Sequence, residues 1–146
     1  MKKIPQEMSF IINSWSVNSI LSKKIDAGLG AVHGIGFTEY MILFHLSKGH
    51  NKAMRRIDLA SSIGLTASGI TRLVSPMEKI GLVQKERNER DARVSLVKIT
   101  PAGETILGDA TTTLRESANR LLDGINQDSL TYSLEVLKFI GKDVYV

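Results

Sequence analysis

Cysteine is missing altogether from this 146-residue chain. Its absence excludes disulfide scaffolds, thiolate zinc sites, cysteine nucleophiles and thiol-based redox sensing. Histidine is scarce, with copies only at His33, His45 and His50, and none stands in an HExxH pattern. No nucleophile elbow or glycine-rich phosphate loop occurs, since Gly28-Leu29-Gly30 lacks both the third glycine and a preceding strand. His45 and His50 are five residues apart near a helix end, a poor ligand spacing without cysteine. The expectation is a protein that is not an enzyme and needs no cofactor and no metal. Long apolar runs are also lacking: Phe10 to Ile12 is too short for a signal-peptide core, and nothing approaches the roughly 18 apolar residues of a membrane span. A cytoplasmic location is expected.

What is present fits one compact globular domain. Apolar residues make up 42% and charged residues 23%, enough to bury a core and too apolar for composition-driven disorder. The net charge of +4 is mild, but it is unevenly spread. From Lys48 to Lys98 there are eleven Lys or Arg against five acids, or +6, and the remainder has eight against ten, or −2. A basic middle third suits an anionic partner, although a solvated face carries such charge just as well.

Periodicity along the chain is mostly helical. Met8, Ile11, Ile12, Trp15, Leu21, Ile25 and Leu29 recur near the 3.6-residue period, so a helix over Met8 to Leu29 should bury one face. Four glycines between Gly28 and Gly36 are expected to end it. Thr38 offers an N-cap for a second helix to about Ser47, with Tyr40, Met41, Leu43, Phe44 and Leu46 as candidate core.

Arg55 to Ile80 is the most informative stretch. Leu59, Ala60 and Ile63 form a short amphipathic face, Gly64 can adopt the positive φ of a turn, and Thr66 can cap a second helix buried through Ile70, Leu73, Val74 and Met77. The result is a helix-turn-helix. Its second helix is left with Ala67, Ser68, Gly69, Thr71, Arg72 and Ser75 outside, small side chains that allow close approach to a groove and polar groups able to bond base edges or phosphates. Pro76 removes a backbone donor and predicts a bend just beyond.

After Leu82 the period shortens. LVQKE and VSLVKIT are strand-like, and the polar segment RNERDAR between them predicts a two-stranded hairpin decorated by Lys85, Arg87, Arg90, Arg93 and Lys98. Arginines at its tip, with Asp91 orienting a guanidinium, suit the negative potential of a DNA minor groove; an exposed hairpin kept soluble by charge is the plainer reading. Pro101 then opens a long helix striped by Ile106, Leu107, Ala110, Leu114, Ala118, Leu121, Leu122 and Ile125. A break over Asn126 to Ser129 precedes a last helix with Leu130, Leu134, Leu137 and Ile140.

These residues together resemble the MarR family of bacterial winged-helix regulators. The resemblance is carried by Thr71-Arg72-Leu73-Val74, Glu78-Lys79-Ile80-Gly81-Leu82-Val83, Asp91-Ala92-Arg93 and Ile99-Thr100 with Gly103, and also by His33-Gly34-Ile35 leading into Thr38-Glu39-Tyr40. It covers nearly the whole chain and implies a mainly α (α+β) fold: a single domain over 1–146, with a winged helix-turn-helix lobe over 37–100 and dimerisation helices over 1–36 and 101–146. By position, it implies that Ala67, Ser68, Gly69, Thr71 and Arg72 face the major groove, that Arg93 enters the minor groove and that Asp91 holds it; Arg87 and Arg90 join the wing candidates from the hairpin's own charge. The implied function is a sequence-specific transcriptional regulator of double-stranded DNA, a repressor acting as a homodimer.

Dimerisation also follows from the pattern. Residues 37–100 can form a small core, which leaves the stripes on the first helix and on the helix after Pro101 in need of a partner surface. A two-fold dimer sets two recognition helices about one DNA turn apart, roughly 34 Å, and predicts a pseudo-palindromic operator. The rival reading, a winged-helix interaction module that does not read DNA, has no need of arginines on both the recognition helix and the hairpin tip. Family members implied by the resemblance release DNA when a thiol oxidises, a route closed here, or when a small aromatic or phenolic ligand binds; Trp15, His33 and Tyr40 are the candidates to meet one, and core or interface packing is their plainer role.

Overall fold

The structure, a computed structural model, describes residues 3–142; residues 1–2 and 143–146 of the two flanking segments lie outside it. In chain order the elements are α1 (Gln6–His33), α2 (Phe37–Lys48), β1 (Ala53–Arg55), α3 (Arg56–Ile63), α4 (Ala67–Lys79), β2 (Val83–Arg87), β3 (Ser95–Ile99), α5 (Pro101–Leu121) and α6 (Gln127–Ile140). The sheet is antiparallel with order β1-β3-β2.

The core forms where α2, α3, α4, the sheet and α5 meet. Ile42, Leu43, Leu46, Leu59, Ile70, Val74, Val83 and Val97 are its largest sealed side chains, and Leu29, Ile35 and Ala110 join it from α1, the turn after it and α5. The core therefore draws on residues outside 37–100. The first half of the α5 stripe is used within the subunit, with Ile106, Leu107 and Leu114 packed against this cluster. Of that stripe only Leu122 and Ile125, at and beyond its far end, are left exposed, whereas Met8, Ile11, Ile12 and Trp15 of α1 remain exposed as expected of a surface in need of a partner. Phe44, expected in the core, lies at its exposed edge under the Lys48 ammonium, and Ile42 takes the buried position.

Two helix boundaries differ from expectation. Gly28 and Gly30 do not end α1; it runs on to His33 and stops at Gly34, whose φ of 68° gives the left-handed cap. α5 runs alongside at Gly28, where a Cβ would stand at an ordinary contact distance of 3.8 Å from Ser117 Oγ, and nothing lies within 4 Å of one at Gly30. Thr38 does not cap α2. Helix entry is at Gly36, whose N–H donates to Glu39 Oε2 at 2.5 Å, while the next N–H, of Phe37, donates to Asp26 Oδ1 at 2.6 Å. Two carboxylates, one reaching across from α1, thus do the work expected of a hydroxyl.

The third strand, β1, has no counterpart in the sequence reading. It is three residues long and pairs Ala53 to Lys98, Met54 to Val97 and Arg55 to Leu96. The chain enters it through Asn51 and Lys52, both left-handed with φ of 53° and 59°.

His45 faces inward from α2, and its buried Nε2 has no hydrogen-bond partner. Burial lowers its pKa below the usual 6.5. Below about pH 6.5 the unfolded chain binds a proton that the folded chain resists, so stability should fall as pH drops through that region. His45→Gln, neutral throughout, should lose that component of the slope when thermal unfolding is compared at about pH 8 and about pH 5.5. An identical slope in the variant would remove His45 as its source.

Candidate nucleic-acid interface

The helix-turn-helix forms as its residues require. Gly64 ends α3 with φ 73°, its N–H donating to Ser61 O, and the Leu65 N–H reaches back to Ala60 O at 3.0 Å, the paired closure that a left-handed glycine permits. Two residues on, Thr66 Oγ1 accepts from the Gly69 N–H at 3.0 Å and starts α4. Thr66→Ala should cost about 1 kcal/mol of stability, the usual value of such a cap, measurable as a lower urea midpoint with unchanged m-value.

Ile70, Val74 and Met77 bury one face of α4 at i, i+4 and i+7. Ala67, Ser68, Thr71, Arg72 and Ser75 are exposed on the rest. Gly69 is different: it is half-buried, and a Cβ there would press on Thr66 Oγ1 at 3.2 Å, so its missing side chain serves the cap. The Thr71 hydroxyl donates to Ala67 O at 3.1 Å and keeps its lone pairs free. Among the described residues Arg72 has no ion-pair partner. The helix continues through Pro76 to Lys79. Lys79 stands exposed one turn beyond Ser75, at the spacing 68-72-75-79 along one face. The sequence reading omitted it by stopping at Ser75, although the same period would have found it.

The hairpin is also there, with β2 and β3 in register from Val83–Ile99 to Arg87–Ser95. Its tip is closed by short local bonds: Asn88 N–H to Val94 O at 3.1 Å, Val94 N–H to Asp91 O at 3.0 Å and Arg90 N–H to Asn88 Oδ1 at 2.9 Å. Asp91 holds Arg93 through three bonds. Its Oδ1 accepts from the Arg93 backbone N–H at 3.0 Å and from Nε at 3.1 Å, while Oδ2 accepts from Nη2 at 3.4 Å. These bonds to Arg93 hold the Asp91 carboxyl below its ordinary pKa. The Arg93 side chain is nevertheless 90% exposed, a guanidinium oriented at one edge and open to solvent over the rest. Arg87 and Arg90 are exposed beside it, whereas Lys98 is turned to Glu86 at 3.2 Å across the sheet.

Of the three residues nominated for a ligand, two meet α5, each at its own threonine. His33 Nε2 and Thr113 Oγ1 are 2.7 Å apart, and the buried Tyr40 hydroxyl lies 3.1 Å from Thr111 Oγ1, both on α5. Tyr40 also stacks between Phe37 and Phe44. Trp15 is 73% exposed and lies eighteen residues before His33 on α1, about 27 Å along the helix. An open recess of about 1050 Å³ on the outer sheet face is lined by Lys52, Arg55, Glu86, Arg90 and Glu104 among others, and by none of the three. Among the described residues no group of three or more His, Asp or Glu side chains could hold a metal ion, and no single helix is long and apolar enough to cross a membrane.

A helix-turn-helix followed by a two-stranded wing, set between long helices, is a winged-helix fold, the one that solved MarR family regulators share. Within that class the model of the SarA/Rot transcriptional regulators matches residues 24–109, and the chain belongs to this family. It is similar to the HTH-type transcriptional regulator BilQ of Clostridioides difficile, 29% identical over 70 residues that cover 48% of this chain and 46% of the relative. The match thus spans about half the length of that relative. Among solved structures, the transcriptional regulator BldR of Sulfolobus solfataricus is 28% identical over 94% of this chain and 97% of its own, with a TM-score of 0.83. Sco3205, a MarR family regulator of Streptomyces coelicolor solved in complex with DNA, shares the fold at 18% identity, covering 99% of this chain and 95% of its own with a TM-score of 0.84.

Proposed function

We propose that this regulator binds double-stranded DNA sequence-specifically as a homodimer, on a pseudo-palindromic operator, and acts as a repressor. The observation that carries the reading is the wing tip, where Arg93 is held by Asp91 through both backbone and side chain yet stays 90% exposed. A guanidinium whose only role was an internal ion pair would not need to stand in solvent. In this reading Ala67, Ser68, Thr71 and Arg72 meet the major groove, with Gly69 shaping the helix start; Arg93 enters the minor groove, and Arg87 and Arg90 meet phosphates. The uneven charge, +6 between Lys48 and Lys98 and −2 elsewhere, puts the basic residues in the lobe that would approach phosphate. The solved DNA complex of Sco3205, which shares the fold, supports the general mode.

Cysteine-free, the chain would take its signal from a small aromatic or phenolic ligand rather than from thiol oxidation. His33 and Tyr40 meet α5 at Thr113 and Thr111, so a molecule competing for those hydroxyls would act on the helix that leaves the lobe. It would shift the population of lobe arrangements away from the one the operator accepts.

The test is binding of the purified protein to the DNA upstream of its own coding region, against an unrelated duplex, over a salt series. Affinity should fall steeply with salt on both, with a specific excess on the upstream DNA of about a thousandfold or more. Equal binding to both at every salt would overturn the reading.

A further inference from the structure

Only Thr100 separates β3 from α5, and it is bound on every side. Its Oγ1 accepts from the Gly103 N–H at 3.0 Å, as an N-cap requires. The same hydroxyl donates to Gly81 O at 2.6 Å, with Leu82 O also within reach at 3.1 Å, and the Thr100 backbone N–H donates to Leu82 O at 3.1 Å. Gly103 is buried, and a Cβ there would overlap the Leu82 carbonyl and the Ile99 side chain, so the α5 backbone itself lies against the corner between α4 and β2. The next residue, Glu104, accepts from Lys52 Nζ at 2.7 Å, a second tie to the chain before β1.

A cap alone needs only the bond to Gly103. The bonds to Gly81 and Leu82 go further, because those residues directly follow the last turn of α4. They join the end of α4 to α5 through one short β-branched hydroxyl, and beside it Gly103 sets backbone against backbone. The same α5 packs on α1 and is followed by the exposed Leu122 and Ile125.

We propose that Thr100 is a positioning residue for operator recognition: with Gly103 it welds α4 to α5 at a fixed angle, and thereby sets the half-site spacing that the dimer accepts. The proposal rests on the dimeric, DNA-binding reading above. If the joint were loose, each lobe would still read its own half-site, but discrimination between spacings would go.

Two measurements test it on the full chain. Because no cysteine is present, Gln84→Cys on the exposed side of β2 gives a single spin label per subunit, and pulsed dipolar spectroscopy without DNA then reports the distribution of distances between the lobes. In this parent and with Thr100→Ser, which keeps the hydroxyl, the distribution should be narrow; with Thr100→Val, which keeps the shape and loses both the donor to Gly81 and the acceptor for Gly103, it should broaden about twofold. In parallel, affinities are compared for operators with the half-sites at native spacing and with one base pair inserted. Wild type and Thr100→Ser should favour the native spacing by at least about tenfold, and Thr100→Val by less than about threefold, with single half-site binding unchanged. A merely structural threonine would lower the melting temperature of Thr100→Val and leave both the distance width and the spacing ratio as in wild type; that result overturns the proposal while the operator reading stands. No dipolar signal in the parent, or no spacing preference in wild type, would overturn the operator reading and the proposal with it.

Discussion

Arg93→Ala is expected to weaken operator binding by about 1 to 3 kcal/mol, between roughly fivefold and a hundredfold or more, while leaving folding almost untouched. The asymmetry follows from the geometry. The Arg93 side chain is 90% exposed and among the described residues its only partner is Asp91, so its removal opens no cavity, and exposed substitutions of this kind stay within about 0.5 kcal/mol in stability. On DNA the same guanidinium would sit in a narrow, strongly negative groove, where it is worth more than in water. If it enters that groove it also displaces counterions, so the slope of log affinity against log salt should become shallower by about one unit. Asp91→Asn separates orientation from charge, because the amide oxygen can still accept from the Arg93 N–H while the ionic hold is gone. Its effect should be smaller than that of Arg93→Ala. An Arg93→Ala protein with wild-type affinity and salt slope would sink the wing assignment and leave the helix face from Ala67 to Lys79 as the sole candidate.

The parts of the fold that were legible in the sequence are those specified by neighbours in the chain. Gly64 and Thr66 announced the turn and the cap because each acts through bonds to residues three to five away, and the Ile70, Val74 and Met77 spacing fixed the buried face of α4 in the same way. Asp91 and Arg93 were legible as a pair for the same reason. What escaped depends on groups distant in sequence. β1 is three residues that become a strand only because β3, more than forty positions later, supplies the ladder. The cap of α2 is provided partly by Asp26, eleven residues before the amide it accepts from, so Thr38 looked like the better candidate. α1 runs past two glycines while packed along α5, a helix that begins more than seventy residues after them in the chain. The Thr100 joint was visible as a motif but its purpose was not, since the carbonyls it binds lie eighteen and nineteen residues away.

The largest effect should come from α6. Not one of its residues is buried in the subunit, and Tyr132, Leu134, Val136, Leu137, Phe139 and Ile140 are all substantially exposed. A fourteen-residue helix is marginal in water by itself, and one that shows apolar side chains on most of its surface is stable only when something covers it. The start of α1 has the same character, with Met8, Ile11, Ile12 and Trp15 forming an exposed stripe. In the homodimer proposed above, a second copy of the chain would bring both surfaces together under one two-fold axis. Leu134→Asp combined with Leu137→Asp places two carboxylates on that face and should give a sedimentation mass near the 16.1 kDa of one subunit, with twice that for the wild type. Operator affinity should then drop by at least about a hundredfold, because binding through one lobe forfeits the second half-site. Glu135→Ala on the polar side of the same helix is the control and should sediment and bind as wild type. Were the double variant to sediment at twice the subunit mass, α6 would not be the dimer contact, and the exposed stripe of α1 alone would have to supply the interface.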